Sequence, residues 1–116
     1  MGMNMAKMSE MEEASAKRGN IKMKHLCVYT KLEIFKHKRY DGYLYWEFAS
    51  RPKILDEFKD GRELRIYFAF NGKIRGYFLI EDEPQLGTVE WFGDTWVEIA
   101  PIDQKPFQGF KYLEIK

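Results

Sequence analysis

Hydrophobic and polar positions alternate most regularly over residues 62–82, RELRIYFAFNGKIRGYFLIED. Leu64, Ile66, Phe68 and Phe70 alternate with Arg65, Tyr67 and Ala69, the period-two pattern of a half-buried strand. Asn71-Gly72 follows at once, and both residues accept the positive φ of a two-residue type I′ turn. The alternation resumes through Ile74, Gly76, Phe78 and Ile80. This pattern predicts a β-hairpin and excludes helix-rich and open α/β architectures.

Shorter signals surround it. HLCVYT over residues 25–30 predicts a first strand, and residues 31–40 hold Leu32, Ile34 and Phe35 ahead of a basic stretch that reads as loop or a short helical turn. Asp41-Gly42 marks a turn, after which Tyr43 to Ala49 reads as an aromatic-rich strand. Along that strand Tyr43 and Tyr45 share one face and Leu44 and Trp46 the other, so one of the two pairs is expected to be buried. Pro52 suits a first helical turn, and Ile54, Leu55 and Phe58 then predict one short amphipathic helix stopped by Gly61, with Ser50 as its N-cap. Pro84 and Gly87 read as chain breaks. Val89 to Phe92, Thr95 to Ala100 and Tyr112 to Ile115 complete the strands, with Pro101 and Pro106 punctuating the stretch between the last two. The expected fold is mainly β with one or two short helices (α+β), a small β-barrel. Its domain spans residues 23–116. Residues 1–22, without aromatics and rich in Met, Ala, Glu, Lys and Ser, read as a flexible tail.

Composition narrows the class further. With 116 residues the chain has room for one core. After Met23 there is one asparagine, Asn71, and one serine, Ser50, among many Lys, Glu, Ile, Phe and Tyr. Depletion of labile side chains with Lys and Glu enrichment is the composition expected of a thermophile. Cys27 is the only cysteine, so neither an intrachain disulfide nor a cysteine-based zinc site can form. No apolar run approaches the roughly 20 residues needed to cross a bilayer, and the N-terminus lacks an apolar signal region, so a cytoplasmic location is expected.

The net charge of +1 conceals an asymmetry. Lys24, Lys31, Lys36, Lys38 and Arg39 crowd residues 24–40 against Glu33 alone, whereas residues 81–103 carry Glu81, Asp82, Glu83, Glu90, Asp94, Glu98 and Asp103 with no basic residue. A dipolar protein can offer a basic face to a polyanion while staying neutral overall. Residues 36–46, KHKRYDGYLYW, interleave cations with flat rings, which is what single-stranded nucleic acid requires. In this reading Lys36, Lys38 and Arg39 contact phosphate, and Tyr40, Tyr43 or Trp46 stacks a base. Arg51 and Lys53 open the short helix, where free N–H groups favour an anion, and Arg75 flanks the hairpin. WFGDTW, with Trp91, Phe92 and Trp96, reads as a seal at the end of the barrel. Cys27 with His25 or His37 makes a poor nucleophile–base pair, and the two histidines show no metal-ligand spacing. The residues call for no cofactor and no metal.

Several of these stretches resemble the PUA-like superfamily, in particular its ASCH and EVE branches. LRIYFAFNGKIRGYFLIED is similar to the central barrel hairpin of those domains, WEFASRP over residues 46–52 resembles the ASCH signature of a lysine ahead of Glu-x-Arg, and GFKYL over residues 109–113 resembles the closing strand. Here Glu47 and Arg51 stand four apart where the signature has two, and Lys38 or Lys36 supplies the lysine. The resemblance implies a pseudobarrel that presents a basic cleft to RNA or to a modified nucleotide without catalysis. It implies an alternative as well, a small amidohydrolase or ribonuclease in which Lys38, Glu47 and Thr30 act together. A third expectation, drawn from the acidic 81–103 stretch, is a protein-interaction module for a basic partner.

Overall fold

The computed structural model describes residues 23–115, so the tail expected over residues 1–22 lies outside the described residues. Along the chain come β1 (Met23–Tyr29), α1 (Leu32–Tyr40), β2 (Tyr45–Glu47), α2 (Ile54–Lys59), β3 (Arg65–Phe70), β4 (Lys73–Gln85), β5 (Thr88–Trp91), β6 (Val97–Asp103) and β7 (Phe110–Ile115). The strands form one sheet in the order β2-β5-β4-β3-β1-β7, with β6 paired to β4 off that path. β4 is long enough to serve three neighbours. Its first half pairs with β3 and β6, and its second half leaves them to pair with β5. A sheet whose longest strand changes partners midway must bend, and this one curls into a half-barrel. The protein is thus a small α+β barrel-like fold, mainly β with two short helices.

The hairpin forms as its pattern dictates. Asn71 and Gly72 take φ values of 52° and 82°, and Phe70 pairs with Lys73 across the turn. The expectation that only one face of β3 is buried needs correction. Ile66, Phe68 and Phe70 enter the main core, while Tyr67 and Ala69 are buried in a second, smaller cluster with Cys27 and Ile74. β3 is central, between β1 and β4, and Ile99, Phe107 and Leu113 cover its second face. Ile74 joins that face because the register skips a residue: Ala69 pairs with Ile74 and Phe68 with Gly76, which leaves Arg75 as a bulge.

Residues 32–40 form a regular helix. Leu32 and Phe35 lie on its inner side, Glu33 sits in the first turn, and Lys38 and Arg39 sit in the last with His37, where the Glu, Lys and Arg charges suit the helix dipole. Phe35 anchors the helix by stacking on Phe70 at 4.7 Å, with Trp96 at 4.8 Å.

Other boundaries move for identifiable reasons. The strand expected over Tyr43 to Ala49 shortens to Tyr45–Glu47, because the Tyr43 N–H turns back to the His37 carbonyl and the Phe48 N–H is taken by Gly87. Leu44 and Trp46 are the inward pair, packed on the core, and Tyr43 and Tyr45 are exposed. Ser50 is not the cap of α2; Lys53 holds that position and no side chain caps it. Pro84 and Pro101 lie within β4 and β6 rather than ending them. Each falls in a ladder irregularity, between Asp82 and Gln85 or between Glu98 and Ile102, where the missing N–H is not required. Trp91 is buried flat against Phe78 at 5.1 Å, and Trp96 packs on Phe78 at 5.0 Å, so both tryptophans close the core as expected, while Phe92 stays exposed.

Candidate nucleic-acid interface

Helical periodicity sorts the basic run. Residues 32, 35, 36, 39 and 40 fall on one side of α1 and residues 34, 37 and 38 on the other. The first side looks across a cleft of about 340 Å³ to Phe70, Arg75, Trp96, Glu98, Ile99 and Pro101. Lys36, Arg39 and Arg75 therefore converge. Two are cations of one helix face, and the third arrives from the hairpin because the bulge aims it there. The Arg75 guanidinium is steadied by the Phe70 and Asn71 carbonyls, both at 3.2 Å, and lies 5.3 Å from the Phe70 ring centroid. Arg39 lies 5.2 Å from the ring centroids of both Tyr40 and Trp96. Tyr40 is 68% exposed, so its ring is free to take a further partner. Glu98 adds a hydrogen-bond acceptor to a wall otherwise made of cations, rings and the aliphatic Leu32, Ile99 and Pro101.

The remaining sequence-predicted residues lie elsewhere. Lys38 faces a separate recess of about 330 Å³ with Ile34, His37 and Tyr43, where His37 bonds Asp41 at 2.6 Å. Its ammonium rests 4.0 Å from the Tyr45 ring centroid and 5.7 Å from that of Trp46. Burial lowers the Lys38 pKa, and the nearby Glu47 charge opposes that shift. Trp46 spends its ring on the core, edge-on to Phe68 at 5.7 Å. Thr30 is buried just past β1 and lines neither of these recesses. Lys53 is exposed at the start of α2, where its backbone N–H donates to the Tyr112 hydroxyl at 3.1 Å.

Arg51 is fully engaged inside the protein. Its Nε and Nη2 donate to the two oxygens of Glu83 at 2.7 and 2.9 Å, and its Nη1 donates to Asp56 at 3.0 Å. The Glu83 side chain is completely buried, and it accepts the Gly87 N–H at 2.7 Å with Lys59 at 3.2 Å. These bonds, the Arg51 pair above all, hold the Glu83 carboxyl down to about 2 against the cost of burial. The acidic 81–103 stretch is correspondingly not one free face, since Glu83 points inward and Asp103 pairs with Lys73.

The other titratable groups of the core are quiet. Burial lowers the His25 pKa to about 4, with Arg62 and Arg65 adding to the effect, and its Nδ1 accepts the Arg65 N–H at 3.0 Å. Burial pushes the Cys27 thiol up to about 12, which leaves almost no thiolate at neutral pH. No group of three or more His, Cys, Asp or Glu among the described residues has a metal-holding arrangement, and no helix among them is long and apolar enough to cross a membrane.

Sequence reasoning assigned Trp96 only to the seal and placed Glu98 only within an acidic run. Their period-two spacing, which puts both on one side of an approaching strand, was the available signal. Comparison of the chain with protein-family models, with curated proteins and with solved structures found no match.

Proposed function

We propose that this protein binds single-stranded RNA, or a modified nucleotide, in the cleft between α1 and β6, without chemical turnover. The observation that carries the reading is the convergence of Lys36, Arg39 and Arg75 on one cleft together with the Tyr40 and Trp96 rings. Cations at the rim neutralise phosphates, and an exposed ring offers a stacking platform for any base. The volume of about 340 Å³ sits at the lower end of small-ligand pockets and suits one base with its sugar. Glu98 can accept from an exocyclic amino or ring N–H group of that base. The PUA-like resemblance points to the same ligand class, with the binding residues redistributed: Lys36, Arg39, Tyr40 and Arg75 remain, Trp96 and Glu98 join, and Lys38, Trp46, Arg51 and Lys53 do not take part.

Fluorescence anisotropy with a short single-stranded RNA tests this. Arg39→Ala and Arg75→Ala are each expected to weaken binding roughly tenfold, the scale of one charge-assisted contact. Tyr40→Ala should weaken it by about 1–3 kcal/mol without lowering the melting temperature, because its ring is mostly outside the core. Wild-type affinity in all three variants would refute the assignment.

A further inference from the structure

A second and larger cavity, about 580 Å³, opens where the β2–α2 connection faces the turn that leads into β7. Its chemistry is the opposite of the basic cleft. Tyr29, Trp46, Phe48, Phe107 and Phe110 line it, Glu47 is the one charged residue on its wall, and no lysine, arginine or histidine reaches it. The rings brace one another. Phe48 meets Phe110 edge-on at 5.6 Å, Tyr29 meets Phe107 edge-on at 5.8 Å, and the Tyr29 hydroxyl accepts the Gly72 N–H at 2.6 Å. The Glu47 side chain makes no hydrogen bond or ion pair among the described residues, although Lys38 lies close enough to feel its charge. The Lys111 ammonium already sits 5.4 Å from the centroid of the Phe107 ring, so a ring of this group attracts cations within the protein itself.

We propose that this cavity is a binding site for a small organic cation bearing a quaternary or methylated ammonium group. Aromatic faces carry partial negative charge, and a weakly hydrated ammonium enters such a cage at little desolvation cost. Glu47, which lines the cavity, supplies the counter-charge, part of which it shares with the nearby Lys38. An anionic ligand would meet that carboxylate with no cation on the cavity wall to receive it, and a neutral one would gain at most a hydrogen bond from Glu47. The site shares no lining residue with the basic cleft, so the inference does not depend on nucleic-acid binding.

Isothermal titration of the full chain with choline, and with its neutral isostere 3,3-dimethyl-1-butanol, separates charge recognition from simple apolar burial. Choline is expected to bind about tenfold more tightly than the alcohol, a ratio in the range of a desolvated cation–π contact. Glu47→Gln, a change at an exposed position, should weaken choline several-fold and leave the alcohol unaffected. Phe107→Leu should weaken choline while a melting curve shows that the chain remains folded. Equal binding of the two probes, no binding of choline, or wild-type choline affinity in Glu47→Gln would overturn the proposal.

Discussion

Glu83 sits in the most acidic stretch of the chain, yet its carboxylate is buried and ties the β4–β5 turn to α2. A buried carboxylate without partners would be costly, and here Arg51 grips both oxygens while Lys59 and the Gly87 N–H complete the shell. Without the Glu83 charge Arg51 keeps Asp56, while Lys59 and the Arg51 Nε lose their ionic partner. Glu83→Gln is therefore expected to cost about 1–3 kcal/mol in stability, read as a fall in the urea midpoint. Folding lowers this carboxyl from 4.5 to about 2, so the unfolded chain binds the extra proton between those values. The stabilisation is complete above about pH 4.5 and is lost as pH falls toward 2, and Glu83→Gln should lack that part of the acid dependence. Arg51→Ala belongs to the same unit: a lower melting temperature with unchanged RNA affinity is expected, whereas unchanged stability with weaker binding would restore Arg51 to the interface. None of this was visible in the sequence. Arg51 and Glu83 stand 32 residues apart, and nothing local distinguishes Glu83 from Glu81 or Asp82.

At the scale of elements, the hairpin was legible because Asn71-Gly72 and the alternation around it are local chemistry. The bulge was not, since an inserted residue shows only against its partner strand. That one residue redirects Ile74 to the second core and Arg75 to the cleft. Helix α1 was half legible. Its apolar spacing is short, and its formation depends on the tertiary contacts of Phe35, so the sorting of Lys36 and Arg39 from Lys38 could not be read beforehand. Gly76 links fold to site directly. A Cβ there would collide with the Val97 carbonyl and come within 2.6 Å of the Trp96 ring. Backbone cannot yield cheaply, so Gly76→Ala is expected to cost about 1–3 kcal/mol and to displace Trp96. RNA affinity should fall with it. A Gly76→Ala protein with full stability and altered tryptophan fluorescence would instead place the strain in the ring alone.

Over the whole molecule the net charge of +1 is a sum that hides where individual charges sit. Lys36, Arg39 and Arg75 gather at one cleft, while Glu47 marks a separate aromatic cavity. The charge asymmetry was evident from composition, but composition could not say which cations share a surface; the curl of the sheet and the face of α1 decide that. A polyanion held by these three cations must release counterions when it binds. The most direct measurement is the affinity of a short single-stranded RNA across a salt series, for the wild type and for the Arg39→Ala/Arg75→Ala double variant. Three phosphate contacts predict a log–log slope of roughly −2 for the wild type, falling to about −0.7 when two are removed. A slope near zero, or the same slope in both proteins, would contradict nucleic-acid binding at this cleft.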